Sequence, residues 1–241
     1  MTVQTAPTVR HYPSREAAAV EMAAEAAAYL AERIEEAGVA SMVLTGGSSP
    51  GAFYRALANT QADAVDWTRV HFFWGDERRV AHDHDDSNVV TTAPLLDALA
   101  IDPRRRHTWD TLAPAADALA SMRRVLAAAD YGADGVFDLT LLGVGPDGHV
   151  ASLFPEDAPW LDLTEEAPDP VRFIDDSPKP PAERFTFTLP RLNRSRRVWL
   201  TPFGASKREA VEAILAGRTD MTAPYVRALD GVTMWTDVEG V

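Results

Sequence analysis

The sequence predicts an α/β fold, a mostly parallel, Rossmann-like sheet with helices on both faces and no dinucleotide bound. Three observations lead there. Short apolar runs alternate with helix-forming stretches along the chain. Four of those runs end in loops rich in glycine or charge. The hydrophobic share of 46% in 241 residues is ordinary for a packed core and fits one α/β domain. The whole chain, 1–241, is therefore expected to be a single domain. Residues 155–181, rich in Pro and Asp, are expected to form a surface excursion rather than a linker.

The elements follow in order. Residues 15–36 are dense in Ala, Glu, Leu and Met, so they predict a helix capped by Ser14 and stopped by Gly38. Residues 40–44 are a short apolar run, read as a buried strand. A helix over about 50–57 fits Ser49 as cap and Pro50 in the first position. Residues 70–74 predict a second strand, ending in Gly75-Asp76-Glu77-Arg78. A polar loop over 81–88 leads to a helix ending near Leu99, and 114–128 predict another helix. Residues 137–142 predict a third strand, the alternating 184–189 fit a further one, and 198–201 another. A helix after Gly204 runs through Leu215, and a last strand covers 232–235.

Composition narrows the function. A net charge of −13 repels phosphate backbones and anionic membranes, so neither nucleic acid nor membrane is an expected partner. A small anionic substrate needs a local cluster of positive charge. Cysteine is absent, which removes thiolate chemistry and Cys-based zinc sites. Residues 1–13 lack a signal-peptide pattern and no run of about 18 apolar residues exists, so the cytoplasm is the expected location. The chain is expected to act as a monomer or weak homo-oligomer.

In open α/β sheets, ligands bind beyond the carboxyl ends of the strands. Four such ends are chemically unusual here. In the first, Thr45-Gly46-Gly47-Ser48-Ser49-Pro50-Gly51, the glycines allow close backbone approach and the next helix start suits a phosphate; a plain capped turn would look similar. In the second, Asp76-Glu77-Arg78-Arg79, Arg78 suits a substrate phosphate, with carboxylates to orient it. A solvated turn is the plain alternative. The third, Gly143-Val144-Gly145-Pro146-Asp147-Gly148-His149, matches the dinucleotide pattern G-x-G-x-x-G. Pro155 comes too soon for a Rossmann helix, and Pro146 lies inside the motif. What remains is a flexible-backbone loop presenting Asp147 and His149, and histidine is the natural general base near neutrality. The fourth, Gly204-Ala205-Ser206-Lys207, puts Lys207 near a helix start, where a bound anion would offset its unfavourable place in the dipole. Arg184 is a further candidate cation at the sheet edge. The run His82-Asp83-His84-Asp85-Asp86 looks metallic but has no supporting ligand elsewhere; Asn88 beyond it is the better pocket residue.

These four blocks, in order and spacing, resemble the 6-phosphogluconolactonases over nearly the whole chain. The stretch from Gly143 through Val150-Ala151-Ser152-Leu153-Phe154-Pro155 carries the resemblance most specifically. The related glucosamine-6-phosphate deaminases share the Asp-Gly-His loop but read Asp-Glu-Tyr where this chain has Asp76-Glu77-Arg78. The resemblance implies hydrolysis of 6-phosphogluconolactone to 6-phosphogluconate in the oxidative pentose phosphate pathway, with no cofactor and no metal. His149 would activate water, with Asp147 or a neighbouring carboxylate orienting it. Backbone N–H groups near Gly46, Gly47 or Gly145 would hold the oxyanion. The phosphate would sit on Ser48 and the following helix, clamped by Lys207 and Arg184 with Arg78 nearby. The rival readings are an aminosugar-phosphate deaminase/isomerase and a non-catalytic sugar-phosphate sensor. Two segments depart from the family pattern, residues 221–225 and 81–86, and both fall outside the four blocks.

Overall fold

The computed structural model describes residues 6–47, 49–128, 130–132, 134–155 and 169–240. Ser48 and residues 156–168 lie outside it, and with them the phosphate role expected of Ser48 and about half of the expected excursion.

Seven strands form one parallel sheet in the order β1-β10-β9-β6-β2-β3-β5. They are β1 (Thr8–His11), β2 (Ala40–Leu44), β3 (Val70–Trp74), β5 (Arg106–His107), β6 (Phe137–Leu142), β9 (Ser195–Leu200) and β10 (Gly231–Thr236). The chain builds outward from β2 through β3 to β5, then restarts at β6 and builds the other way through β9 and β10. The order therefore reverses between β2 and β6, and a crevice opens there at the carboxyl ends. The central strands β2, β3 and β6 are buried at every position. Continuous apolar runs of this kind are what a sheet covered on both faces requires.

Helix α1 (Arg15–Ala37) begins on Ser14, whose side chain accepts from the Ala17 N–H, and ends at Gly38 with φ 81°. Both ends match the sequence reading. Helix α2 (Gly51–Thr60) starts one residue later than expected. Pro50 holds the cap position and Ser49 does not cap the helix. Helices α3 (Asn88–Ala98), α4 (Ala115–Ala128) and α6 (Arg208–Ala216) fall where the sequence places them. Among the described residues no helix is long and apolar enough to cross a membrane.

A second, three-stranded antiparallel sheet differs from the sequence reading. Strand β4 (Asp76–Arg78), expected as a charged turn, pairs with β8 (Arg184–Phe187), and β8 pairs with β7 (Val171–Ile174). The expected excursion thus contributes a strand at its far end. A short helix, α5 (Leu189–Asn193), follows β8.

One buried carboxylate ties the two halves of the main sheet together. Asp138 on β6 accepts from the Ser41 N–H at 2.9 Å, the Ser41 hydroxyl at 3.0 Å and Arg33 Nε at 2.8 Å. It thereby joins β6, β2 and α1 beside the reversal point. Removing the carboxylate leaves a half-buried Arg33 guanidinium with only Glu36 as partner and the Ser41 donors without their acceptor. Asp138→Ala is expected to lower unfolding stability by about 3 kcal/mol. Denaturant titration should show a shifted midpoint and an unchanged slope.

Candidate active site

Four adjacent strands, β9, β6, β2 and β3, end at the crevice, and their loops are the four blocks singled out by sequence. Together they line a cavity of about 220 Å³. Its lining includes Gly46, Gly47, Asp76, Arg78, Asn88, Gly145, His149, Arg184 and Lys207. Every described binding residue expected from sequence is in that set. Asp147 stands just behind it, bonded to His149.

The loop after β6 is closed by its own backbone. The Gly145 N–H donates to His149 O at 2.9 Å, and the Gly148 N–H donates to Gly145 O at 3.0 Å. Gly148 has φ 75°, and a Cβ there would collide with Met221. A Cβ on Gly145 would overlap His149 Nδ1 and Asp147 Oδ1. Gly145 thus makes room for the Asp147–His149 couple, whose Nδ1 to Oδ1 distance is 2.5 Å. A carboxylate can only accept, so Nδ1 is the donor in this bond.

Asp147 has a second partner, the Lys179 ammonium, with Nζ 2.8 Å from Oδ2. Burial alone would raise the Asp147 carboxyl. Hydrogen bonds and charge from His149 and Lys179 outweigh it and hold the group well below the usual carboxylate range. Phe154 lies under the group: its ring centroid is 4.5 Å from that of His149, and Lys179 Nζ and the Arg184 guanidinium lie 5.6 and 5.7 Å from it.

Lys179 was not anticipated. It lies in the Pro-rich stretch set aside as excursion. A signal was available in the composition: the chain has only two lysines, Lys179 and Lys207, and both line the cleft. The Lys207 ammonium is lowered from its ordinary value by burial first and by the Lys179 charge second, with Asp147 opposing.

Arg184 is 4% exposed. Nε donates to Pro181 O at 2.9 Å, and Nη2 donates to Lys179 O at 3.1 Å and Pro180 O at 3.2 Å. Nη1 lies 4.0 Å from Asp76 Oδ2. The arginine therefore anchors the backbone that carries Lys179. Arg78 Nη1 donates to Asp86 O at 2.6 Å, which docks the His82–Asp86 run against the cleft. Within that run His82 contacts Trp109 O and His84 accepts from the Asp86 N–H, so its imidazoles are engaged in holding the loop.

Glu77 organises the wall below. Its carboxylate accepts from the N–H groups of Arg78, Asn88 and Val89 and from the Ser87 hydroxyl. This fixes the start of α3 and hence Asn88. The Asn88 side chain donates to Asp76 O at 2.8 Å, and its Oδ1 is buried with no hydrogen-bond partner. A Cβ on Gly46 would overlap that oxygen, which accounts for the first glycine of the first block.

Two sequence expectations change. Gly145 was one of three candidate oxyanion donors, but its N–H is engaged with His149 O. The Gly46 and Gly47 N–H groups have no acceptor among the described residues. The segments that depart from the family pattern lie outside the four blocks in sequence yet touch them in space. Asp86 holds Arg78, and the Ala223 N–H donates to Gly148 O at 2.8 Å.

Comparison with known proteins agrees with this geometry. The family model described as glucosamine-6-phosphate isomerases/6-phosphogluconolactonase matches residues 13–235. A 6-phosphogluconolactonase of Streptomyces coelicolor is 39% identical over 230 residues, covering 89% of this chain and 87% of that protein. One from Mycobacterium tuberculosis is 39% identical over 207 residues, with 82% of each covered. The crystal structure of a Thermotoga maritima 6-phosphogluconolactonase superposes with a TM-score of 0.79 at 30% identity, covering 95% of this chain and 98% of that one.

The steric role of Gly145 is open to a direct check. Gly145→Ala is expected to keep the fold by circular dichroism and to lower kcat by roughly 100-fold or more, because the added methyl displaces the His149 imidazole.

Proposed function

Because the chain belongs to the glucosamine-6-phosphate isomerase/6-phosphogluconolactonase family, we propose that it hydrolyses 6-phospho-D-glucono-1,5-lactone to 6-phosphogluconate with water activated by His149. One observation carries the reading: a histidine made a base at Nε2 by Asp147 stands in a cleft lined by two lysines and two arginines. The histidine suits water activation and the cations suit an anionic sugar. A chain of net charge −13 concentrates positive charge here, where a phosphorylated substrate would be drawn.

In the proposed reaction, His149 Nε2 takes a proton from water as its oxygen attacks the lactone carbonyl carbon. The tetrahedral oxyanion is held by the Gly46 and Gly47 N–H groups. Collapse breaks the bond from the carbonyl carbon to the ring oxygen. The ring oxygen takes the proton from the imidazolium and becomes the sugar hydroxyl, and the new carboxylic acid ionises. Asp147 stays ionised throughout, holds the Nδ1–H tautomer and stabilises the imidazolium. Lys179 balances its charge.

The phosphate is assigned to Lys207 and the start of α2, which leaves the Gly46 and Gly47 N–H groups to the oxyanion. Burial and the neighbouring Lys179 make the Lys207 charge unfavourable, and a bound dianion relieves that. Arg184, expected as a clamp, is assigned the positioning of Lys179 instead, since Nε and Nη2 are taken by backbone carbonyls.

Lactone hydrolysis corrected for the spontaneous rate tests the function. Turnover is expected with 6-phosphogluconolactone, and ammonia release from glucosamine 6-phosphate in its place would contradict the reading. His149→Ala should lower kcat by roughly 100- to 10,000-fold with a small effect on KM. Lys207→Ala should mainly raise KM, by about tenfold or more, as expected for the loss of one charge-assisted bond to phosphate. An unchanged KM would remove Lys207 from the phosphate site.

A further inference from the structure

A second cavity of about 470 Å³ lies at the opposite end of the sheet. It sits between the end of α4, the turn entering β6 at Phe137, and the helix α5. Arginine dominates its lining: Arg123, Arg191 and Arg194, against the single carboxylate of Asp134. The two rim carboxylates are already paired, Asp134 with Arg196 and Asp169 with Arg123.

Arg191 is the unusual member. It is 7% exposed, and among the described residues no carboxylate pairs with it. Nη2 donates to the Tyr131 hydroxyl at 3.1 Å and Nη1 to Arg194 O at 3.3 Å. The guanidinium stacks 3.6 Å above the Phe137 ring. A guanidinium has five N–H donors, and these are the two bonds it makes among the described residues. Burial first pushes its pKa down to about 10, with the Arg194 charge acting in the same direction. A desolvated cation without a counterion is costly, and a bound anion removes that cost. Arg194 stands at the mouth, its Nη2 on Asp134 O at 2.8 Å. The Arg191 and Arg194 guanidiniums, neither paired with a carboxylate among the described residues, line one space and match the oxygens of a phosphate group.

We infer that this cavity is a second binding site, separate from the catalytic cleft, for a small ligand bearing a phosphate group gripped by Arg191 and Arg194. The inference does not depend on the proposed lactonase reaction, since none of these residues lines the cleft.

The test uses inorganic phosphate as probe and the arginine Nε–H resonances as readout. The full chain carrying Lys207→Ala, which weakens the proposed catalytic phosphate site, is titrated with phosphate. The Arg191 signal is identified by its loss in Arg191→Met. A saturable shift of that signal is expected, and Arg194→Ala should weaken it by about tenfold. Arg194 is exposed, so that variant should keep its fold. Absence of a saturable shift would overturn the inference. So would a shift whose midpoint is unchanged in Arg194→Ala.

Discussion

The hydrogen bond between His149 and Asp147 is the constraint on which the rest of the cleft depends. It sets the orientation of the imidazole, with Nδ1 as donor to the carboxylate. Its short span explains why position 145 has no side chain, since any Cβ would occupy the space of the bonded atoms. It also requires a cation on the far side of the carboxylate. Lys179 supplies one, and Arg184 holds the backbone from which Lys179 reaches. The loop backbone closes on itself and is braced by the turn near Ala223. A geometry that depends on tenths of an ångström is thus held from several elements at once.

The sheet order puts this couple where a ligand can reach it. Strands β2 and β6 part at the point of reversal, and the glycine loops that follow them face one another across the opening. Asp138 fixes the strands, and Glu77 fixes the start of α3 that presents Asn88. Neither residue lines the cleft. Both are buried carboxylates saturated by donors, which is the condition under which such groups order a structure.

Much of this was legible in the sequence. The parallel core was visible because its strands are continuous apolar runs set between well-capped helices, as with Ser14 and Gly38 around α1. The site was visible because its residues sit immediately after those strands. What escaped has a common physical cause. Strand β4 is three charged or partly charged residues whose partner, β8, lies about a hundred positions away, so no local pattern marks it. Strand β5 has two residues and is defined only by its pairing with β3. Lys179 belongs to a stretch whose prolines read as loop, and its importance comes from Arg184 and Asp147, neither of which is near it in a helical or strand period. The role of Gly145 was misread for the same reason: the acceptor of its N–H is set by the closure of the loop.

Replacing Asp147 by Asn tests the central claim most directly. Asparagine keeps the shape and can still touch Nδ1, but it loses the charge that holds the tautomer and stabilises the imidazolium. The account predicts a fall in kcat for 6-phosphogluconolactone of roughly 100-fold or more, with KM changed by less than about threefold and an intact fold. A variant that retains kcat within about twofold of the parent protein would contradict it.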